Sequence, residues 1–519
     1  MKGGFRQSMA WLHTWSGLLV GWVLFAVFLT GTVSYFRAEI SFWMRPELHA
    51  ARVAPDAAEN VLRRMHALAP SSSSWIINLP SERDPLARVF WRDPSAGGNR
   101  FRRAILDPAT GEDLPARETL GGDFFYTFHY QFHHMPVLWG RWIISVCAMF
   151  MLVAILSGIV THRRIFADFF TFRPRKGQRS WLDGHAVTAV LALPYHLMIT
   201  YTGIVTLMLM TMPWGVQVAF KGDNQAFSAT VFGLERPSPR SGQAAPLAPV
   251  MPMLDAASRH WGGAQPGRIT VNNPGDVTST VQVFRVDDDR LSVNRQVVSF
   301  NGVTGAMVSA SGGNRPAAET RGVMVGLHRG VFGGGAMRAL FFLSGLMGTV
   351  MVATGIILWA VKQRQKLGAR AGAGTRLVEV LNVAAIGGLP IAMTSYLWAN
   401  RLLPVEMAQR SAWEVHVFFI AWGIAAMHPL LRTHRRAWVE QLGLGAALLL
   451  LLPALNAVTT HSHLGITLPA GQWALAGLDL LALGFGAALA FAAWHVGQPV
   501  AEKRHARHPA RQVNPVPAE

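Results

Sequence analysis

One cysteine, Cys147, stands in the 519 residues. A lone thiol cannot close a disulfide within the chain or hold an iron–sulfur cluster by thiolates. No CxxCH occurs, which excludes covalently attached c-type haem, and no GxGxxG follows a strand-like run, which removes the dinucleotide-binding signature. Charge is scarce too: Asp, Glu, Lys and Arg make up 15% of the chain, with 29 acidic residues against 47 Lys and Arg. Inside the first four apolar runs carboxylates are nearly missing; Asp123 and Asp183 lie at their borders.

Apolar sequence fills the space. Hydrophobic residues are 51% of the chain and the mean hydropathy is +0.26, a balance that suits a multi-span membrane protein. Eight candidate helices stand at 11–36, 138–160, 185–211, 338–361, 378–400, 412–431, 439–458 and 472–495. Each is close to the ~20 residues that cross a bilayer. The first has no small-residue cleavage site after it and reads as a retained anchor.

The net charge of +18 is placed at alternate helix ends. "THRRIFADFFTFRPRKGQRS" (161–180) holds six basic residues against one Asp, and 362–376 holds five with no acid. Further clusters stand at Arg432, Arg435 and Arg436 and around Lys503, Arg504, Arg507 and Arg511. This is the positive-inside pattern with both termini cytoplasmic, and not the footprint of a nucleic-acid-binding surface. The lipid bilayer is the partner it implies.

Two polar segments interrupt the spans. The expected organisation is a span at 1–36, an exterior segment at 37–128, two spans with a basic loop at 129–211, a second exterior segment at 212–327 and a span at 328–361. A basic linker at 362–377, four further spans at 378–495 and a cytoplasmic tail at 496–519 complete it. Each exterior segment reads as a small α/β unit. The first has an amphipathic "PDAAENVLRRMHAL" and strands "SWIINL", "LARVFW" and "FRRAIL"; the second has "APVMPMLDAASRHW" and strands "GRITVNN", "TSTVQVFRV" and "RQVVSFN". Their turns "LDPATGE" and "FNGVTGA" are alike. The helices repeat as well: His13 lies 17 residues before Thr30-Gly31 and His185 lies 17 before Thr202-Gly203, while Arg141 and Arg338 lie 17 before Gly158 and Gly355. The fold expected is an all-α membrane bundle with two inserted α/β domains, built from duplicated helix–domain–helix units. Such parallel repeats are related by a pseudo-twofold axis along the membrane normal.

Nineteen histidines are present, and several sit in two layers at the span ends. His13 and His185 open spans on the inner side and His162 closes one there; His129, His133, His134 and His328 precede spans on the outer side. His196 follows His185 by 11 residues, three turns and about 20°, which places both on one helix face about 16 Å apart. Any single one can be a packing or interfacial residue. A bare metal site needs three or four converging ligands, often carboxylates. A transporter would show a broken helix, and Pro194 offers one. Two separated layers with little carboxylate and no thiolate favour two b-type haems, held by neutral imidazole from facing helices. The repeat pairs His13 with His185 for an inner haem. For the outer haem the spacings to Arg141 and Arg338 favour His133 with His328, with His129 and His196 as substitutes and His162 a further candidate. His416 and His428 form no ligand row, and His461 and His463 fall in an expected loop.

"LHTWSGLLVGWVLF", "FHYQFHHMPVLWGRW", "LSGIVTHRRIFADFFTFRPRKGQRSWLDGH" and "LPYHLMITYTG" together resemble the PepSY-associated transmembrane family, over about residues 8–361. The resemblance implies a multi-pass protein of a bacterial inner membrane, with PepSY-like exterior domains in the periplasm and a tie to iron uptake. It implies a haem-dependent ferric-siderophore reductase; with the ligands suggested by the repeat, haem iron would be held through His13, His185, His133 and His328, and the electrons would come from quinol or a cytoplasmic reductase. The alternative is a non-redox siderophore or metal permease, or a membrane protein that binds a periplasmic partner.

Overall fold

The computed structural model describes residues 4–93, 101–162, 172–173, 176–232, 238–312 and 315–499. The tail from 500 onward and most of the basic loop, 163–171 and 174–175, lie outside them.

The first copy of the repeat runs α1 (Phe5–Ser34), α2 (Arg37–Trp43), α3 (Ala57–Leu68), β1 (Ser74–Asn78), β2 (Ala87–Arg92), β3 (Phe101–Leu106), α4 (Asp123–Tyr130) and α5 (Val137–Thr161). The second begins with α6 (Gln178–Leu191) and α7 (Leu193–Thr206), then short helices α8 (Met208–Thr211), α9 (Trp214–Phe220) and α10 (Asn224–Phe232). It continues through α11 (Met251–His260), β4 (Pro266–Asn272), β5 (Thr280–Arg285), β6 (Val297–Asn301), β7 (Met307–Ser311), α12 (Pro316–Arg329) and α13 (Gly334–Leu367). The C-terminal extension is α14 (Ala373–Ile386), α15 (Gly388–Leu402), α16 (Arg410–Met427), α17 (His434–Thr459), α18 (Leu464–Thr467) and α19 (Trp473–Gly497).

Apolar runs must become helices in a bilayer, because only a helix or a closed barrel satisfies its own backbone there. Among the described residues six segments are long and apolar enough to cross: α1, α5, α13, Ala373–Leu402, α17 and α19. The α6–α7 pair makes seven if its two halves count as one span. The chain is therefore a multi-pass membrane protein. The expected single helix at 185–211 is corrected: it is two helices bent by 69°. Pro194, at the second position of α7, has no N–H to give and its ring clashes with the preceding turn. The eighth expected segment, 412–431, is α16, which opens on the charged residues Arg410 and Glu414 and is not among the six.

The basic helix ends gather on one side. Arg6 donates to the Thr161 carbonyl (2.9 Å), Arg364 pairs with Glu379, Arg376 reaches the carbonyl of Arg432, and Arg435 that of Val496. The opposite side carries the sheet.

The exterior segments do not stay apart as two domains. Their strands form one antiparallel sheet in the order β3-β2-β1-β4-β5-β6-β7. The seam is β1 against β4, with Ile76 opposite Thr270, flanked by Trp75↔Val271 and Ile77↔Ile269. Those four flanking side chains are fully buried against one face, where α3 and α11 supply Val61, Met65, Met253 and Ala257. A free edge strand is an open row of donors and acceptors, and here each copy closes the other's. The duplication is visible in the turns: the Asp107 carboxylate accepts from the N–H groups of Ala109 and Thr110 as the Asn301 amide oxygen does from Val303 and Thr304. The seventh strand, β7, escaped the sequence reading because "MVSAS" is mostly exposed and shows no apolar alternation.

The extension docks on the first exterior segment through buried polar groups. Arg410 pairs with Glu414 with both side chains fully buried, and Glu414 accepts from Thr119 and Asn400. Arg401 lies 3.8 Å over the Trp43 ring, whose indole N–H donates to Asp479 (3.1 Å).

Candidate functional site

Four histidines share one local arrangement. His13 Nδ1 lies 2.7 Å from the Ala154 carbonyl and His185 Nδ1 2.8 Å from that of Met351. His129 Nδ1 lies 2.8 Å from the Val27 carbonyl and His328 Nδ1 3.0 Å from that of Ile199. Each carbonyl stands four residues before a glycine of its own helix: Gly158, Gly355, Gly31 and Gly203. The Cα–Cβ bond of a helical residue tilts toward the N-terminus, over the carbonyl one turn back. Only glycine leaves that carbonyl open to a second donor. A Cβ on Gly158, Gly355 or Gly203 would fall 3.0, 3.1 and 3.0 Å from the imidazole, and on Gly31 2.6 Å.

A carbonyl only accepts, so Nδ1 carries the proton in all four rings. That leaves the Nε2 lone pair free, the tautomer an axial iron ligand needs.

The rings stand in two pairs. His13 on α1 faces His185 on α6 with centroids 6.1 Å apart and planes at 61°. His129 on α4 faces His328 on α12 at 6.0 Å and 27°. Two metal–imidazole bonds of about 2 Å and two ring half-widths of about 1 Å sum to about 6 Å. The centroid separations of 6.1 and 6.0 Å match that sum, so each pair has the spacing that would suit one iron between two imidazoles. No cluster of three or more His, Cys, Asp or Glu side chains suited to a bare metal ion exists among the described residues. Were a haem bound, His13 with His185 and His129 with His328 would each supply it with two protein ligands.

His13 and His185 are brought together as the repeat suggests. In the outer layer the ring that faces His328 is His129, the substitute, and not His133, the favoured partner. His129 and His328 are each the penultimate residue of a short helix, and the following spans begin after connections of different length, 131–136 and 330–333. Counting back from Arg141 and Arg338 therefore lands on the wrong histidine. His133 sits in the longer connection, against Phe124 and Phe419, and its neighbour His134 stacks on His416 at 5.8 Å. His196 joins neither pair. The bend separates it from the His185 helix, and it is fully buried beside Phe28, near the backbone of Ala189 and Ser344. His162 caps α5 outside both pairs. Gly17, four residues after His13, faces open space and Gly184, beside His185, meets only Phe172, whereas Gly31, Gly158, Gly203 and Gly355 serve the rings. The matched spacing in the repeat was the signal for them.

A cavity of about 850 Å³ runs from between the spans, where Leu24, Met151 and Tyr195 line it, past the outer pair to the sheet. Helix residues such as Val27, Gly31 and Gly203 form its floor around His129 and His328, and Asn78, Arg268 and Phe284 belong to its sheet side.

The profile of the PepSY-associated TM region matches residues 10–362, the part that holds both pairs and the sheet. The chain belongs to the PepSY-associated transmembrane family. It is similar to an uncharacterized protein of Pseudomonas aeruginosa, 26% identical over 395 residues that cover 71% of this chain and 93% of that one. For a PepSY-associated transmembrane protein, the four helix-borne histidines all fall within the matched region, and α14 to α19 lie beyond it.

Proposed function

We propose that this protein is a transmembrane di-haem b oxidoreductase of the bacterial inner membrane that reduces a ferric chelate, a ferric siderophore, on the periplasmic side. The observation that supports it is the fourfold histidine–carbonyl–glycine unit, paired at 6.1 and 6.0 Å. When bound, haem supplies a one-electron Fe(III)/Fe(II) couple in each layer. The chain's own groups do the rest. Ala154, Met351, Val27 and Ile199 hold the Nδ1 protons through their carbonyls, which orients each ring and raises its basicity as a ligand. The glycines keep the rings close to the helices. One electron delivered to a chelated Fe(III) gives Fe(II), which hard oxygen ligands hold less tightly.

In this reading α16 is an eighth span, both termini are cytoplasmic, and the sheet is a PepSY-like periplasmic body. Electrons enter near His13 and His185 from quinol or a cytoplasmic reductase. Haem quantified per chain tests the proposal. The purified protein should be red, with two b-type haems. His13→Ala and His185→Ala should each remove one, His129→Ala and His328→Ala the other, and His133→Ala neither. A colourless, folded protein would overturn it. The reading as a permease then gains ground, supported by the 69° break that leaves His196 buried in mid-fold.

A further inference from the structure

The wall of the cavity above the outer histidines carries nine arginines against three aspartates, Asp84, Asp287 and Asp288. Several arginines are neutralised within the fold: Arg83 and Arg338 on Glu39, Arg329 on Asp287. Three have no carboxylate within ion-pair distance among the described residues, though Asp287 acts on Arg268 from farther off. Arg141 donates to the Gln131 amide oxygen and lies over the Tyr130 ring. Arg268 donates to the Asn78 amide oxygen (2.8 Å). Arg295 is exposed on the connection that enters β6.

These three reach the cavity from three elements, α5, β4 and the β6 entrance. A concave wall with an excess of one sign, set in low-dielectric protein, concentrates its field and draws in ligands of the opposite sign. Guanidinium forks fit paired oxygen acceptors.

We propose that this cavity is the docking site of the electron acceptor, and that it selects an iron chelate of net negative charge, of the catecholate or hydroxycarboxylate class, over neutral or cationic hydroxamates. The proposal rests on the di-haem reading only for the name of the ligand; the basic cavity stands without it. A chelate there lies over His129 and His328, with its acidic oxygens on Arg268 and Arg295.

Redox-inert gallium chelates test it on the full-length protein in detergent. A trianionic Ga(III) tris-catecholate should bind, followed by tryptophan fluorescence, with an affinity that falls as salt is raised. A Ga(III) trihydroxamate with a cationic amine arm should bind at least about tenfold more weakly. The double variant Arg268→Gln/Arg295→Gln, with haem content unchanged, should lose at least about tenfold for the trianion and little for the cation. Equal binding of both probes, insensitivity to salt, or an unaffected double variant would overturn the proposal. Should the double variant lose its fold, the probe and salt comparisons on the unaltered protein still decide. A colourless protein that binds the trianion refutes the haem reading alone; a red protein that ignores it refutes this inference alone.

Discussion

His129 and His328 face each other at 6.0 Å although 199 positions apart, and each occupies the last turn of a short helix that leads into a span. Each donates its Nδ1 proton to a carbonyl of its own copy: His129 to Val27 of α1, His328 to Ile199 of α7. The pair is held by two carbonyls that glycine leaves accessible, and that dependence can be probed directly.

Gly31→Ala places a methyl group 2.6 Å from the His129 ring, which must move off the Val27 carbonyl to make room. The outer site should lose its ligand geometry while the inner site persists. Haem per chain should fall from two to one, with the remaining absorption that of the His13–His185 site. Gly17→Ala, which meets nothing within 4 Å, should leave both.

The seam between β1 and β4 makes the two exterior segments one unit. Ile269 is fully buried opposite Ile77. Ile269→Ala should destabilise the sheet by about 2–5 kcal/mol. Hydrogen exchange should then quicken in β1 and β2 as well as in β4 and β5. Exchange confined to residues of the second segment would show that the segments open independently.

Glu414 and Arg410 are buried together at the foot of α16. Glu414→Ala strands the guanidinium and should destabilise by about 3–5 kcal/mol, seen as a lower unfolding midpoint in detergent. The double change Arg410→Met/Glu414→Met should restore much of that, because it removes both charges from the buried site.

His49, outside the spans, is buried against Phe42 and donates Nε2–H to the Phe42 carbonyl (2.8 Å). Burial pushes its pKa from 6.5 down to about 4. The unfolded chain takes up a proton below about 6.5, and the folded one only below about 4. The stability contributed by neutral His49 is therefore complete above pH 6.5, is lost as pH falls from there to about 4, and changes no further below. His49→Gln should flatten that part of the unfolding-midpoint profile.

Much of this architecture is local and was legible. Apolar runs of span length, basic clusters at alternate ends, and the two amphipathic helices over α3 and α11 follow from hydropathy and period, which need no knowledge of distant residues. Six of the seven strands were readable from apolar alternation, and the two like turns betrayed the duplication. The meeting of His13 and His185 was legible because both sit inside helices, where residue spacing converts directly into depth.

What the chain could not reveal alone are relations that cross loops or join remote elements. The outer partner of His328 turned on two extra residues in the connection 131–136, and a loop's length does not report where its ends point. The break at Pro194 rotated His196 away from the face that uniform helix geometry assigns it. The closing of β1 on β4 and the anchoring of Arg401 on Trp43 depend on which surfaces meet once the spans have packed. Periodicity determines which face of an element is apolar; tertiary packing decides which lone pair, carbonyl or edge strand that face is brought against.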